Sequence, residues 1–172
     1  CLSLVAWALW FRGYPDQALE RSEQALTLAR ELDQPFSLSI ALGTAGATFH
    51  QMFRNVGMAR ELAETCIAHS SEHGFPFWLL VGTICRGWTL TQQGQAEEGV
   101  AQIEGALSQY RTMGGGASYS HLSAMLGEAY GRTGQVEKGL SILSEALAIV
   151  KRSGERDFEA EIHRLRGVLQ HT

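Results

Sequence analysis

Proline is scarce in this 172-residue chain, with only three copies, and that leaves long segments free to be helical. Lysine is almost absent. Twelve of the fourteen basic residues are arginines scattered without forming a stripe, and the net charge is −4. Nucleic acid and anionic membrane surfaces both require a basic footprint, so neither is expected as a partner. No apolar run is long enough to span a bilayer: the opening CLSLVAWALWF stops at Arg12-Gly13. That opening also lacks the basic region of a signal peptide, and no Met begins it, so it is read as part of something longer. The three cysteines, Cys1, Cys66 and Cys85, have neither metal nor disulfide spacing. Their odd number and apolar settings mark them as reduced core residues of a cytoplasmic protein.

Glycine is plentiful, with nineteen copies, although it weakens helix interiors. Its distribution is periodic. Gly46, Gly87, Gly127 and Gly167 fall at steps of 41, 40 and 40 residues, and Gly74, Gly114 and Gly154 at steps of 40. Ala25, Cys66, Ala106 and Ala146 repeat the first rhythm with small side chains. Between these marks the apolar residues follow helical steps of three and four, as in Val136, Gly139, Leu140, Leu143, Ala146, Leu147 and Val150. Each unit therefore reads as helix, short glycine turn, helix and glycine stop. Gly74, Gly114 and Gly154 suit the left-handed residue that ends a helix, and Pro35 and Pro76 follow helix ends. Gly127 and Ala146 are expected where the two helices of a hairpin cross closely.

The fold expected is all-α: a right-handed α-solenoid of about four helix hairpins plus a final helix. The units run 1–35, 36–76, 77–117 and 118–157, with a terminal helix at 158–172, in a single domain 1–172. That last helix is read as a closing lid or as a repeat whose outer face is unusually exposed.

The order small, aromatic, small, small at Gly127, Tyr130, Gly139 and Ala146 resembles the tetratricopeptide repeat. Gly87, Leu90, Gly99 and Ala106 follow it with Leu for the aromatic. Gly46, Phe49, Ala59 and Cys66 follow it with one extra residue assigned to the turn. In its wording, His73–Arg111 looks like the C-terminal repeat region of large bacterial regulators. These are similar to adenylate/guanylate cyclases carrying an ATPase module, and LuxR-type ATP-dependent transcription activators share the layout. The resemblance implies a regulatory, protein-binding region in the cytoplasm and carries across no catalytic residue.

If the first helix of each hairpin lines the concave face, the inward positions are Trp7, Ala47, Trp88 and Glu128. One turn on come Trp10, His50, Thr91 and Gly131, then Phe11, Gln51, Gln92 and Arg132. Trp10, His50, Gln51, Trp88, Gln92, Glu128 and Arg132 mix aromatic and hydrogen-bonding groups suited to a partner-binding groove. The partner expected is a protein or peptide segment, or another domain of the parent chain. A small effector held around His50, Gln51, Trp88 and Gln92 is the rival expectation, and self-association through open terminal repeats is a third.

No enzyme activity and no cofactor are expected. His69 and His73 have metal-compatible spacing but no third ligand, and read as a solvated helix end. His121, His163 and His171 read as isolated. MGGGAS (113–118) follows no strand and precedes no Gly-Lys-Ser/Thr, so it reads as a flexible linker and not as a phosphate loop. Glu159 with His163, and Glu161 with Arg164, read as surface pairs.

Overall fold

The computed structural model describes residues 2–116 and 118–171, so the reading of Cys1 lies outside the described residues. Among these no strand occurs. The helices are α1 (Leu2–Phe11), α2 (Pro15–Glu31), α3 (Pro35–Ala41), a π-helical segment (Leu42–Thr48), α4 (Phe49–Met52) and α5 (Val56–Glu72). They continue as α6 (Pro76–Gln92), α7 (Ala96–Thr112), α8 (Tyr119–Arg132), α9 (Val136–Ser153) and α10 (Glu159–Gln170). Among the described residues no helix is long and apolar enough to cross a membrane. The chain divides into two compact units, Cys1–Thr89 and Leu90–Thr172, the division falling inside α6.

The glycine rhythm has a backbone cause. Gly13, Gly94 and Gly134 have φ of 82°, 89° and 72°, and each sits between the two helices of a hairpin. Gly74, Gly114 and Gly154, at 69°, 80° and 78°, sit between one hairpin and the next. Glycine adopts this left-handed backbone without the Cβ clash other residues meet. The remaining two corners are filled by Arg54 (φ 57°) and Asp33 (φ 49°), which keep the same rhythm. Closure is the same at every internal turn: Tyr14 N–H donates to the Leu9 carbonyl, Asn55 to His50, Gln95 to Leu90 and Gln135 to Tyr130, all at 2.9–3.0 Å. Pro15, Pro35 and Pro76 occupy the first position of a helix, where the missing N–H costs nothing.

In Cys1–Thr89, α1 packs along α2, and the π segment packs on α2 and α5. Ala6, Ala18 and Phe49 form a core with Trp7, Leu9, Trp10, Leu19, Met52 and Phe53 around it. Cys66 and Cys85 are buried, and burial pushes their thiols up to about 11 and about 12, which keeps them protonated and unreactive.

In Leu90–Thr172, α8 packs against α7, α9 and α10. A Cβ at Gly127 would stand 2.7 Å from Leu143 Cγ, and one at Gly139 would stand 3.1 Å from the Gly127 carbonyl oxygen. The close crossing of this hairpin thus involves Gly127, Gly139 and Leu143. The final helix is docked: Phe158, Ile162, Leu165 and Leu169 are buried, with Leu169 lying over Gly131 and Gly139. His121 is not isolated, since its ring stacks on Phe158 at 3.7 Å. Glu161 pairs with Arg164 at 2.7 Å, whereas Glu159 pairs with Arg156 at 2.6 Å. Within the glycine linker, Gly115 lies against the Tyr110 ring and has no room for a side chain.

Candidate partner-binding site

The π-helical segment decides which residues of the second hairpin share a face with the others. Asp33 and Arg54 are 21 residues apart, whereas Gly74 and Gly94, or Gly114 and Gly134, are 20 apart. The turn between α4 and α5 has the same length as the other internal turns, so the extra residue lies in the first helix and not in the turn. A helix absorbs one inserted residue by widening a turn to π geometry, and a helical turn then carries the surplus. The widened turn is held by side chains. Trp7 Nε1 donates to the Thr44 carbonyl at 3.1 Å, Ser22 Oγ to the Ala45 carbonyl at 2.5 Å, and Thr48 Oγ1 to the Gly43 carbonyl.

Counting from the left-handed corners, His50 therefore matches Leu9, Leu90 and Tyr130, and Gln51 matches Trp10, Thr91 and Gly131. The residue that matches Phe11, Gln92 and Arg132 is Met52, which the sequence reading missed. Uniform turn length was the signal available in the sequence. Marker glycines inside helices were read instead, and these do not fix the turn.

Burial separates the candidates sharply. Trp88 is 0% exposed, His50 5% and Gln51 6%. A side chain so covered cannot meet a partner without unpacking its neighbours, so these three serve the core of Cys1–Thr89. Trp10 is half-buried against Phe53, with ring centroids 4.6 Å apart, and against Phe49 at 6.3 Å. Burial holds His50 below the ordinary imidazole range, opposed by the Glu23 carboxylate. Its Nδ1 is buried without a hydrogen-bond partner.

The three candidates in Leu90–Thr172 come together. Gln92 Nε2 donates to Glu128 Oε1 at 3.1 Å, and Arg132 donates to Gln92 Oε1 at 2.5 Å. Arg132 also stands 3.8 Å from Glu128 Oε1. The side chain of Glu128 is 12% exposed and that of Arg132 45%, so the network presents a guanidinium backed by a sheltered carboxylate. This arrangement fixes the direction of the Arg132 fork while 45% of that side chain stays exposed. It can hydrogen-bond a carboxylate or a backbone carbonyl. Also on α8, Tyr130 donates to Glu104 of α7, and Lys138 of α9 stands 5.4 Å over the Tyr130 ring. Burial first, then the bond to Glu104, pushes the Tyr130 hydroxyl up to about 12.

His69 Nε2 meets the Pro35 carbonyl at 2.9 Å and His73 Nδ1 meets the His69 carbonyl at 2.9 Å. Among the described residues no group of three or more His, Cys, Asp or Glu is placed to hold a metal ion.

No family model matches the chain, and no curated protein matches it. Solved structures do. Aspartyl phosphate phosphatase F from Bacillus subtilis is similar, with a TM-score of 0.65 and 12% identity, over 98% of this chain and 44% of the phosphatase. The chain thus spans less than half the length of that protein. A putative kinesin light chain from Podosopora anserina with nearly identical TPR-like repeats gives a TM-score of 0.61 and 17% identity, over 98% of this chain and 93% of that one. BtubC (BKLC) from P. vanneervenii gives 0.61 and 18%, over 99% and 80%. The fold is a tetratricopeptide-like repeat solenoid. At these identities the likeness concerns the fold, which serves many unrelated tasks.

Proposed function

We propose that this chain is a non-enzymatic protein-interaction scaffold, the regulatory repeat region of a larger bacterial signalling protein of the cyclase/ATPase or LuxR-type layout. It takes a partner segment on the first-helix face of Leu90–Thr172, at Gln92, Glu128 and Arg132. The observation that carries this reading is the hydrogen-bonded network of those three side chains, which presents a half-exposed, pre-oriented guanidinium. Orienting the fork in advance lowers the entropy lost when a carboxylate or carbonyl of the partner docks on it. The shifted groups elsewhere are the Cys66 and Cys85 thiols, the Tyr110 and Tyr130 phenols and the His50 imidazole, each moved first by burial, and the ion-paired Arg156, Glu159 and Arg164.

The test is a cross-linked capture from host lysate with the chain and with Arg132→Ala and Gln92→Ala variants. Circular dichroism verifies that each variant is folded. A specific protein retained by the parent and reduced about tenfold or more by either variant supports the site, since a hydrogen bond to a charged group contributes about 1.5–3 kcal/mol. Equal recovery by all three overturns it.

A further inference from the structure

The C-terminal end of α5 brings two imidazoles together. His69 lies in the last turn, and His73, four residues on, caps the helix. Their ring centroids are 4.3 Å apart, with the planes tilted by 38°. His73 is exposed and His69 half-buried. The hairpin that holds them has α2 before it and α6 after it, so their accessibility is not that of a chain end.

The hydrogen bonds fix where each ring keeps its proton. His69 Nε2 lies 2.9 Å from the Pro35 carbonyl oxygen, and His73 Nδ1 lies 2.9 Å from the His69 carbonyl oxygen. A carbonyl oxygen only accepts, so both of these nitrogens are the N–H donors of neutral rings. The lone pairs are left on His69 Nδ1 and His73 Nε2. A metal-binding histidine has this form: one N–H given to a carbonyl sets the tautomer and the ring direction, and the other nitrogen is offered to the ion. Two metal–nitrogen bonds of about 2.0–2.1 Å join donors up to about 4 Å apart, so rings at this separation can share one ion. The carbonyl end of α5 is also the negative end of its helix dipole, which favours a cation. Phe75 lies nearly parallel to the His73 ring at 6.1 Å, and Phe36 stands edge-on to Phe75 at 5.3 Å, so an aromatic wall adjoins the pair.

We propose that His69 Nδ1 and His73 Nε2 together bind one divalent transition-metal ion of the kind that favours imidazole, such as Zn²⁺ or Cu²⁺. Water fills the remaining positions, since among the described residues no third His, Cys, Asp or Glu joins them. The site is therefore open on its outer side and modest in affinity. It belongs to Cys1–Thr89 and does not depend on the function proposed above for Gln92, Glu128 and Arg132.

The experiment is calorimetric titration of the chelator-treated chain with Zn²⁺, beside electron paramagnetic resonance with one equivalent of Cu²⁺. All proteins carry Cys1→Ser, which removes a competing thiol. One saturable Zn²⁺ site is expected, and the Cu²⁺ spectrum is expected to show two nitrogen ligands. His69→Ala and His73→Ala are each expected to weaken binding by about tenfold or more. His163→Ala, at an exposed histidine of α10, and Arg132→Ala are expected to change nothing. Circular dichroism verifies folding, and the exposed position of His73 keeps at least that variant intact. A chain that binds neither ion would overturn the proposal. Affinity that survives both histidine variants, or that falls with only one of them, would mean an adventitious ion only and would overturn it as well.

Discussion

The guanidinium of Arg54 lies 5.6 Å from the ring centroid of Trp88 while its own backbone is held in the left-handed region, φ 57°. Three of the four internal corners are glycine and the fourth is this arginine. The left-handed conformation costs an L-residue about 1–2 kcal/mol, and a cation over a tryptophan face returns about 0.5–2 kcal/mol. Arg54→Ala keeps the strained Cβ and loses the cation, so unfolding free energy is expected to fall by about 1 kcal/mol. Arg54→Gly removes strain and cation together and is expected to be close to neutral. Trp88→Ala empties a fully buried site and is expected to cost about 3–5 kcal/mol. Urea titrations of the three variants check the order.

Gly127 and Gly105 are both helical glycines with opposite expectations. At Gly127 an added methyl would meet Leu143 Cγ and Cδ2 at 2.7 Å, whereas at Gly105 nothing lies within 4 Å. Gly127→Ala is expected to destabilise by about 1 kcal/mol, overpacking of about 1–3 kcal/mol outweighing the helix-propensity gain. Gly105→Ala is expected to stabilise by about 0.5–1 kcal/mol. Thermal melts of the pair settle whether the periodic glycines serve packing.

Ser22 tests the π segment. Its buried hydroxyl donates to the Ala45 carbonyl inside the widened turn. Ser22→Ala is expected to cost about 1–3 kcal/mol, the range for leaving one buried partner of a hydrogen bond unmade. Hydrogen exchange of the amides between Leu42 and Phe53 should accelerate more than that of α2.

His50 gives the pH dependence. Burial lowers its folded pKa, so the unfolded chain binds the proton more readily. Stability at this site is therefore full above the unfolded imidazole value of about 6.5 and declines as pH falls toward the lowered folded value. His50→Leu, the residue found at the matching Leu9 and Leu90, is expected to flatten the stability profile between pH 7 and 5. A profile of unchanged slope would assign the dependence to other groups.

Gly94, Gly134, Gly114 and Gly154 show why the architecture was legible in the sequence: glycine recurs at six of the eight left-handed corners, and Asp33 and Arg54 keep its rhythm at the other two. That Glu128 and Arg132 share a face was legible too, because α8 carries no irregularity and the two lie four residues apart on it. The second hairpin was misread by one position. Nothing in LGTAGAT marks a widened turn, since the residues that stabilise it, Trp7 and Ser22, lie far away in the chain. Trp88 was read as a groove residue because helical steps report which residues share a face, but not what packs over that face.

The π segment has a consequence for exchanging parts of this chain. Because α3 begins in step with α6 and the corner at Arg54 falls in step with Gly94, the surplus residue is confined between two matching joints. The second and third hairpins thus share their entry and their corner, α3 and α6 each beginning two residues after Asp33 and Gly74, whereas α8 and α10 begin five residues after Gly114 and Gly154. A helix, and not a loop, stores the difference in length, so a one-residue insertion in this fold alters which side chains face outward without moving the next hairpin's starting point.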